Sequence, residues 1–254
     1  MKKPSKDYYS KINLILKKIS KEEDKKIIKC AKLIKASYKK GGQLFIFGTG
    51  HSKLLAEESF HRAGGYAAAC PVRSDEINFS KGTDKATELE RTANVAKRAL
   101  EKYKLSSKDV LMIVSNSGVN HAPIEAALIA KKKKIKTIAL TSYKFSKQAP
   151  LSKLKKRLYE ICDIYIDNKI PPGDAVVEIN KMMVGPASSI TGAFILNSIL
   201  VEVANLLKNE KIFPQPFWKA HPHRDKSKEC KMPCGFLVGI LWVSPNSRGP
   251  SCAM

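Results

Sequence analysis

Residues 43–60, QLFIFGTGHSKLLAEESF, decide the fold because a strand pattern changes into a helix pattern within one short turn. The apolar run 43–48 predicts a buried strand, and the spacing of apolar residues predicts a helix over 52–63. GTGHS (48–52) lies between them. A glycine turn that opens a helix presents backbone N–H groups to an anion. This turn is therefore the first candidate ligand site.

The same turn could belong to a dinucleotide-binding fold. That fingerprint needs a third glycine three residues after the second, where this chain has Lys53. No acidic residue ends an obvious second strand to bind a ribose hydroxyl. A dinucleotide is therefore disfavoured, and no cofactor is expected. The Ser52 hydroxyl can bind an anion or simply cap the helix, and this turn alone leaves both interpretations open.

Strand and helix patterns alternate along the rest of the chain. This alternation predicts an α/β fold, a three-layer αβα sandwich with a mostly parallel five-stranded sheet, preceded by N-terminal helices. Residues 73–83 and 171–179 are interpreted as loops. The other predicted strands are 67–72, 109–115, 136–142 and 163–167, and the other predicted helices are 5–40, 86–103, 122–133 and 188–207.

Composition divides the chain into three segments. Residues 1–42 form a helical segment that packs on the core or on a partner, and 43–212 form the main domain. Residues 213–254 hold both tryptophans and six of the 13 prolines, which indicates an atypical, irregular tail or a shifted reading frame. Two histidines and two cysteines of the tail match no known zinc spacing, so no metal site is expected. They are His221, His223, Cys230 and Cys234.

The net charge of +23 favours an anionic partner. The lysines are spread along the chain without an aromatic-interleaved motif, so no specific nucleic-acid partner is expected. No segment reaches the roughly 18 apolar residues of a membrane span, and the N-terminus lacks the features of a signal peptide. Six cysteines without framework spacing indicate reduced thiols. The chain is therefore expected to be cytoplasmic, with no membrane partner.

Two further strands also end in hydroxyl side chains. SNSGVN (115–120) follows one strand, and LTS (140–142) ends the next. Because ligands of parallel sheets bind beyond the carboxyl ends of the strands, all three turns are expected to line one pocket. Uncharged donors suit a phosphate that must also leave. The predicted substrate-binding residues are Gly50, His51, Ser52, Ser115, Asn116, Ser117, Gly118, Asn120, Thr141 and Ser142.

GTGHS, SNSG followed by PIE, and ITGAFILNSI resemble the sugar isomerase (SIS) domain family. The AEE and GPASSIT segments resemble its uncharacterised phosphosugar-binding branch, related to phosphoheptose isomerase and N-acetylmuramic acid 6-phosphate etherase. The resemblance covers about residues 5–212 and implies a flavodoxin-like sheet. It implies a phosphate held by Ser52, Ser115 and Ser117, with Asn120 where many members have threonine. It also implies a homodimer or homotetramer whose neighbouring subunit completes the site.

Isomerisation of a sugar phosphate requires a base that moves a proton between adjacent carbons. Glu57 and Glu58 are the candidates, because a helix directs one of two consecutive side chains toward the site and the other away. The resemblance implies a catalytic glutamate on this helix, further from the glycine turn than here. His61 is a third catalytic candidate. The structural alternatives are surface charges for the glutamates and a structural role for the histidine.

The closing helix 188–207 contains no histidine, unlike that of phosphoheptose isomerase, so that enzyme's chemistry does not carry over whole. Asp174 and Glu178, in the predicted loop 171–179, are functional candidates or parts of a plain turn. The leading interpretation is a phosphosugar-binding protein that is an aldose–ketose isomerase or a related carbon-acid enzyme. The alternative is a sugar-phosphate sensor that binds without turnover.

Overall fold

The computed structural model describes residues 3–60, 62–77 and 82–210. Its central sheet contains five parallel strands in the order β2-β1-β3-β4-β5. From β1 the chain runs to β2 on one side and then returns to β3 on the other, which creates a topological switch point between β1 and β3. The strands are β1 (Leu44–Gly48), β2 (Ala69–Pro71), β3 (Val110–Val114), β4 (Lys136–Thr141) and β5 (Ile164–Asp167).

Helices cover the sheet, as the α/β prediction required. On one face α9 packs against α2 and α3, while on the other α6 packs against α5 and α8. The first face contains α1 (Pro4–Glu22), α2 (Asp24–Lys39), α3 (His51–Glu58) and α9 (Ser188–Leu207). The remaining helices are α4 (Thr83–Glu90), α5 (Val95–Glu101), α6 (His121–Lys132), α7 (Tyr143–Gln148) and α8 (Leu158–Ile161).

The central strands are buried on both faces, which explains their continuous apolar runs. Phe45 and Phe47 of β1 pack with α5 and α6. Leu44 and Ile46 point to the opposite layer and are fully buried there. Burying one such side chain contributes about 1.5–3 kcal/mol. The sheet is thus a rigid platform for the turns at its carboxyl edge.

The prediction of one helix over 86–103 is wrong. The chain forms α4 and α5 instead, separated at Asn94, whose φ of 64° is left-handed. The Glu125 carboxylate accepts hydrogen bonds from the backbone N–H groups of Asn94 at 2.8 Å and Ala96 at 3.0 Å. A distant residue therefore caps the start of α5, which apolar periodicity cannot reveal.

The interpretation of 171–179 as a loop is also wrong. Residues of this segment form β6 (Ala175–Ile179), which pairs antiparallel with β7 (Met182–Pro186). Asn180 and Lys181 both have positive φ, as a two-residue hairpin turn requires. An Asn-Lys pair is a weaker hairpin signal than Asn-Gly, so the sequence did not indicate it.

Two predicted helices have different limits from those expected. Residues 5–40 form the separate helices α1 and α2, with Glu23 at the junction, and α3 ends at Glu58 rather than at 63. The Glu23 carboxylate is buried and pairs with Lys169 at 2.8 Å and Lys26 at 2.9 Å. This contact ties the helix junction to the end of β5.

Helix α9 has the predicted bounds, 188–207, but the prediction that no segment is apolar enough to span a membrane is wrong by composition. Its 20 residues meet the length and composition of a membrane span, with a mean hydropathy of 1.7. Eight of its residues are buried in the described fold, including Ile195, Ile199 and Val203. Packing against the core accounts for this composition.

Residues 213–254 lie outside the described residues, so the predictions of an atypical tail and of no zinc site there stay predictions. His61 lies outside them as well. The division into three segments therefore remains a prediction.

Candidate functional site

An open cleft of about 830 Å³ lies beyond the carboxyl ends of β1 and β3, at the switch point of the sheet. Gly48 pairs with Val114, the last residue of β3, so the turns after both strands begin side by side. Seven of the ten predicted binding residues line this cleft: Gly50, His51, Ser52, Ser115, Asn116, Ser117 and Asn120.

The first turn depends on its two glycines. Gly50 has a φ of 53°, a region that favours glycine, and α3 begins at the next residue. A Cβ at Gly48 would lie 2.5 Å from the Ser52 carbonyl oxygen. The glycines thus allow close packing of strand against helix, and they bring the Ser52 side chain to the cleft.

Hydrogen bonds hold the turn after β3, residues 115–120, in its conformation. Ser115 Oγ accepts a hydrogen bond from the Gly118 N–H at 3.2 Å, and Asn116 Oδ1 accepts one from Asn168 Nδ2 at 3.0 Å. Gly118 has a φ of 61°, and a Cβ there would lie 2.7 Å from Thr141 Oγ1. Gly118 is thus required by the shape of the turn and is not a cleft-lining residue.

Thr141 and Ser142 support the second turn instead of lining the cleft. Both are fully buried. Thr141 Oγ1 donates to the Asn116 carbonyl at 3.2 Å, and Ser142 Oγ donates to the Ile170 carbonyl at 2.6 Å. Ser142 Oγ also accepts from the Phe145 N–H and so caps α7. Their predicted direct contact with a ligand would require these bonds to break.

The glutamates predicted as bases are absent from the described cleft lining. Glu57 accepts hydrogen bonds from the Arg73 guanidinium, the shortest 2.7 Å, and forms an ion pair with Lys53 at 3.4 Å. Burial acts to raise the pKa of Glu57, but Arg73 and Lys53 hold that pKa below its ordinary value. Glu58 is exposed and pairs with Arg62. An ion-paired carboxylate with a lowered pKa is a weak base.

Two carboxylates line the cleft, those of Glu90 and Asp174, and the sequence interpretation missed Glu90. Its Oε2 accepts a hydrogen bond from Thr49 Oγ1 at 2.9 Å, and its Oε1 accepts one from Asn120 Nδ2 at 2.5 Å. Burial raises the pKa of Glu90 above the ordinary value, while Thr49 and Arg91 oppose this rise. Its position at the end of α4 becomes evident only when the helix is known to stop there.

Asp174 joins the cleft to the hairpin and to α9. Its Oδ1 accepts from the Ser188 N–H at 2.8 Å, and its Oδ2 accepts from Ser188 Oγ at 2.6 Å. Both residues line the cleft, whereas Glu178 is exposed on β6 and does not line it. The main role visible for Asp174 is to satisfy the first N–H groups of α9.

The described residues offer little for metal or thiol chemistry. They contain no group of three or more histidine, cysteine, aspartate or glutamate side chains placed to hold a metal ion. Burial raises the pKa of the described cysteine thiols, Cys30, Cys70 and Cys162, to about 12. The cleft is lined instead by hydroxyl and amide side chains, by two carboxylates and by a few basic side chains.

Comparison with known families gives a match to the SIS domain over residues 7–142. A UPF0309 protein from Halalkalibacterium halodurans is 36% identical over 214 residues, covering 83% of this chain and 88% of the relative. A UPF0309 protein from Brucella ovis is 40% identical over 184 residues, covering 72% of this chain and 75% of the relative.

Solved structures share the fold at low sequence identity. Phosphoheptose isomerase from Neisseria gonorrhoeae matches with a TM-score of 0.55 at 15% identity, covering 78% of this chain and 95% of that one. Phosphoheptose isomerase from Francisella tularensis matches with a TM-score of 0.50 at 16% identity, covering 77% and 94%. These matches agree with the order of strands and helices described above.

Proposed function

Because the chain belongs to the SIS domain family and, within it, to the UPF0309 proteins, we propose that its cleft binds a sugar phosphate and that Glu90 moves a proton on the bound sugar. The observation that carries this proposal is a half-buried carboxylate fixed by two hydrogen bonds beside two turns rich in hydroxyl groups. The fold shared with two phosphoheptose isomerases supports the choice of ligand.

The phosphate is proposed to bind between the starts of α3 and α6. Neither N-cap residue, Gly50 or Asn120, makes a side-chain cap hydrogen bond, because glycine has no side chain and Asn120 is bonded to Glu90. At the start of α6 the N–H groups of His121 and Ala122 make no hydrogen bond within the described residues and can bind an anion. At α3 the N–H groups of Ser52 and Lys53 already donate to backbone carbonyls at 3.1 Å. The hydroxyls of Ser52, Ser115 and Ser117 add donors without a buried counter-charge.

Glu90 is proposed as the general base. Its raised pKa brings it nearer to neutrality, where a carboxylate can both accept a proton and return it. In an aldose–ketose exchange Glu90 would take the proton from the carbon next to the carbonyl and deliver it to the neighbouring carbon. Thr49 and Asn120 fix the orientation of its carboxylate during this transfer. The catalytic roles of Glu57, Glu58 and His61 remain alternatives to this assignment.

A sensor that binds without turnover is the second candidate, and the lack of a histidine on α9 favours it. One experiment separates the two. A thermal-shift screen of hexose, heptose and amino-sugar phosphates identifies a ligand, which is then incubated with the protein in heavy water. Solvent deuterium at the carbon next to the carbonyl supports an enzyme, whereas binding without exchange supports a sensor.

Matched variants then assign the base. We expect Glu90→Gln to slow the exchange at least about 100-fold while binding is retained. Glu57→Gln and Glu58→Gln are the controls, because both remove a carboxylate from outside the described cleft lining. Equal exchange in Glu90→Gln and the parent protein would refute Glu90 as the base. No stabilisation by any sugar phosphate would refute the proposed function itself.

A further inference from the structure

Arg91 differs from the other arginines of the described part of the chain. Arg62, Arg73 and Arg98 form ion pairs with glutamates, and Arg157 donates to the Ala149 carbonyl. Among these five described arginines, Arg91 alone makes no side-chain hydrogen bond or ion pair with described residues. Arg91 is exposed, lines the cleft and directly follows Glu90 in the chain.

Lys153 is the other strong cation of the cleft. It lies between α7 and α8, on a different segment from Arg91, and it too has no carboxylate partner within the described residues. The turns after β1 and β3, by contrast, bring hydroxyls and amides to the cleft. The cleft therefore has an uncharged binding region and a separate cationic lining. Its volume of about 830 Å³ lies in the upper part of the range for small-molecule sites.

We propose that Arg91, assisted by Lys153, binds a second acidic group of the ligand, so that the substrate class is sugar phosphates that also carry a carboxylate or a second phosphate. The proposal rests on the proposed function, because the first phosphate occupies the hydroxyl turns. Guanidinium groups bind carboxylate and phosphate through two parallel hydrogen bonds, which a terminal anion in an open cleft can accept. Recognition by Arg91 would thus select among sugar phosphates without contacting the reacting carbons.

Two simpler explanations of these cations must be separated from this proposal. Arg91 is the C-cap residue of α4, and a cation there interacts favourably with the helix dipole. The net charge of +23 also attracts every polyanion to some extent. Neither explanation requires Arg91 to line the cleft, and neither predicts a preference that depends on this one side chain.

The test uses the full chain and isothermal titration with two pairs of probes. Glucose 6-phosphate is compared with 6-phosphogluconate, and fructose 6-phosphate with fructose 1,6-bisphosphate. Inorganic phosphate tests whether the protein binds phosphate without a sugar. The variants are Arg91→Gln and, as a matched control, Lys85→Gln, which removes one positive charge from the same helix outside the cleft lining. Lys85 pairs with Glu88 on the surface, so its loss tests the general field.

We expect the probe with two acidic groups to bind at least about tenfold more tightly in one or both pairs. Arg91→Gln should abolish this preference while it changes the affinity for the singly charged probe less than about twofold. Lys85→Gln should keep the preference. Equal affinities within both pairs, or an equal effect of both variants, would overturn the proposal while the proposed function stands. Failure of every probe to bind would overturn this proposal, and the further absence of any ligand in the thermal-shift screen would overturn both.

Discussion

Glu90 is a carboxylate held in the cleft by two neutral donors, whereas Glu57 and Glu58 are paired with arginines. Burial raises the pKa of Glu90, so a reaction that uses it as base loses rate as the pH falls through a value above that of an ordinary glutamate. We expect the acid limb of kcat/KM to have its midpoint above pH 4.5, the ordinary value. Arg91→Gln should move this limb further toward neutral pH, because the Arg91 charge lowers the pKa of Glu90. A limb at or below the ordinary value in both proteins would contradict the assignment.

The burial that raises the pKa of Glu90 also predicts that its ionised form lowers the stability of the fold. A glutamate whose folded pKa is raised contributes stability that is present below its unfolded pKa and lost as the pH rises through the folded pKa. Glu90→Gln removes this loss, since an amide stays neutral and can still bond with Thr49 and Asn120. We expect the Tm of the variant to match or exceed the parent at neutral pH, with the difference shrinking toward pH 4.5 and below. Measurement of the Tm of both proteins between pH 4.5 and neutral pH checks this expectation. Glu101→Gln, on the exposed face of α5, is the control. A Tm deficit that is largest at neutral pH would show that the carboxylate is mainly structural.

The binding turns and the base differ in how readily the sequence reveals them. Ser52, Ser115 and Ser117 follow buried strands directly, and parallel strands bring their carboxyl ends to one edge, so local pattern was enough to predict that they meet. Glu90 lies at the end of α4, just before the contact between Asn94 and Glu125. These two residues are 31 positions apart in the chain, so local pattern does not reveal where α4 ends. Thr141 and Ser142 have the same residue types as the cleft hydroxyls, and only their bonding partners show that they support the turn.

At the scale of elements, the break between α4 and α5 places Glu90, the proposed base, at the end of α4. The Glu125 carboxylate caps the start of α5, and replacement of such a cap costs about 1–2 kcal/mol. We expect Glu125→Ala to lower stability by this amount and also to reduce the exchange rate, because the end of α4 that carries Glu90 is no longer fixed. Chemical denaturation and the deuterium assay measure the two effects.

Glu101→Ala is the control for this element, because Glu101 is exposed at the end of α5 and forms only a long surface pair with Lys97. Its stability and exchange rate should stay close to those of the parent protein. If Glu125→Ala loses stability and keeps full exchange, the break does not position the base.

The strands and α9 were predictable because buried parallel strands and long apolar helices repeat their signal over many residues. The β6–β7 hairpin was not, since its strands are short and β7 is largely exposed. Its turn residues, Asn180 and Lys181, adopt positive φ without a glycine. Local pattern thus did not predict features that depend on the backbone conformation of one residue or on one distant contact.

At the scale of the whole molecule, the hairpin and α9 expose apolar surface in a chain of high net charge. Met182 and Val201 are each 66% exposed, and Met183 is 51% exposed. Apolar residues exposed in adjacent strand positions are typical of surfaces that are covered by a partner. This observation supports the predicted homodimer or homotetramer, in which a second copy of the chain would cover the hairpin near Asp174 and the cleft.

We therefore expect light scattering after size exclusion to give at least twice the 28.2 kDa of one chain. Met183→Glu should shift the protein toward monomer, because it puts a charge into the buried contact. The Tm of the parent protein should fall on dilution, and the variant should lose this dependence on concentration. Lys133→Glu, at the exposed end of α6 in the opposite layer, introduces the same side chain and should leave the mass unchanged. Since like charges repel, association should also strengthen as salt is added. A parent protein that remains monomeric, or a Met183→Glu variant with unaltered mass, would remove the hairpin from the interface.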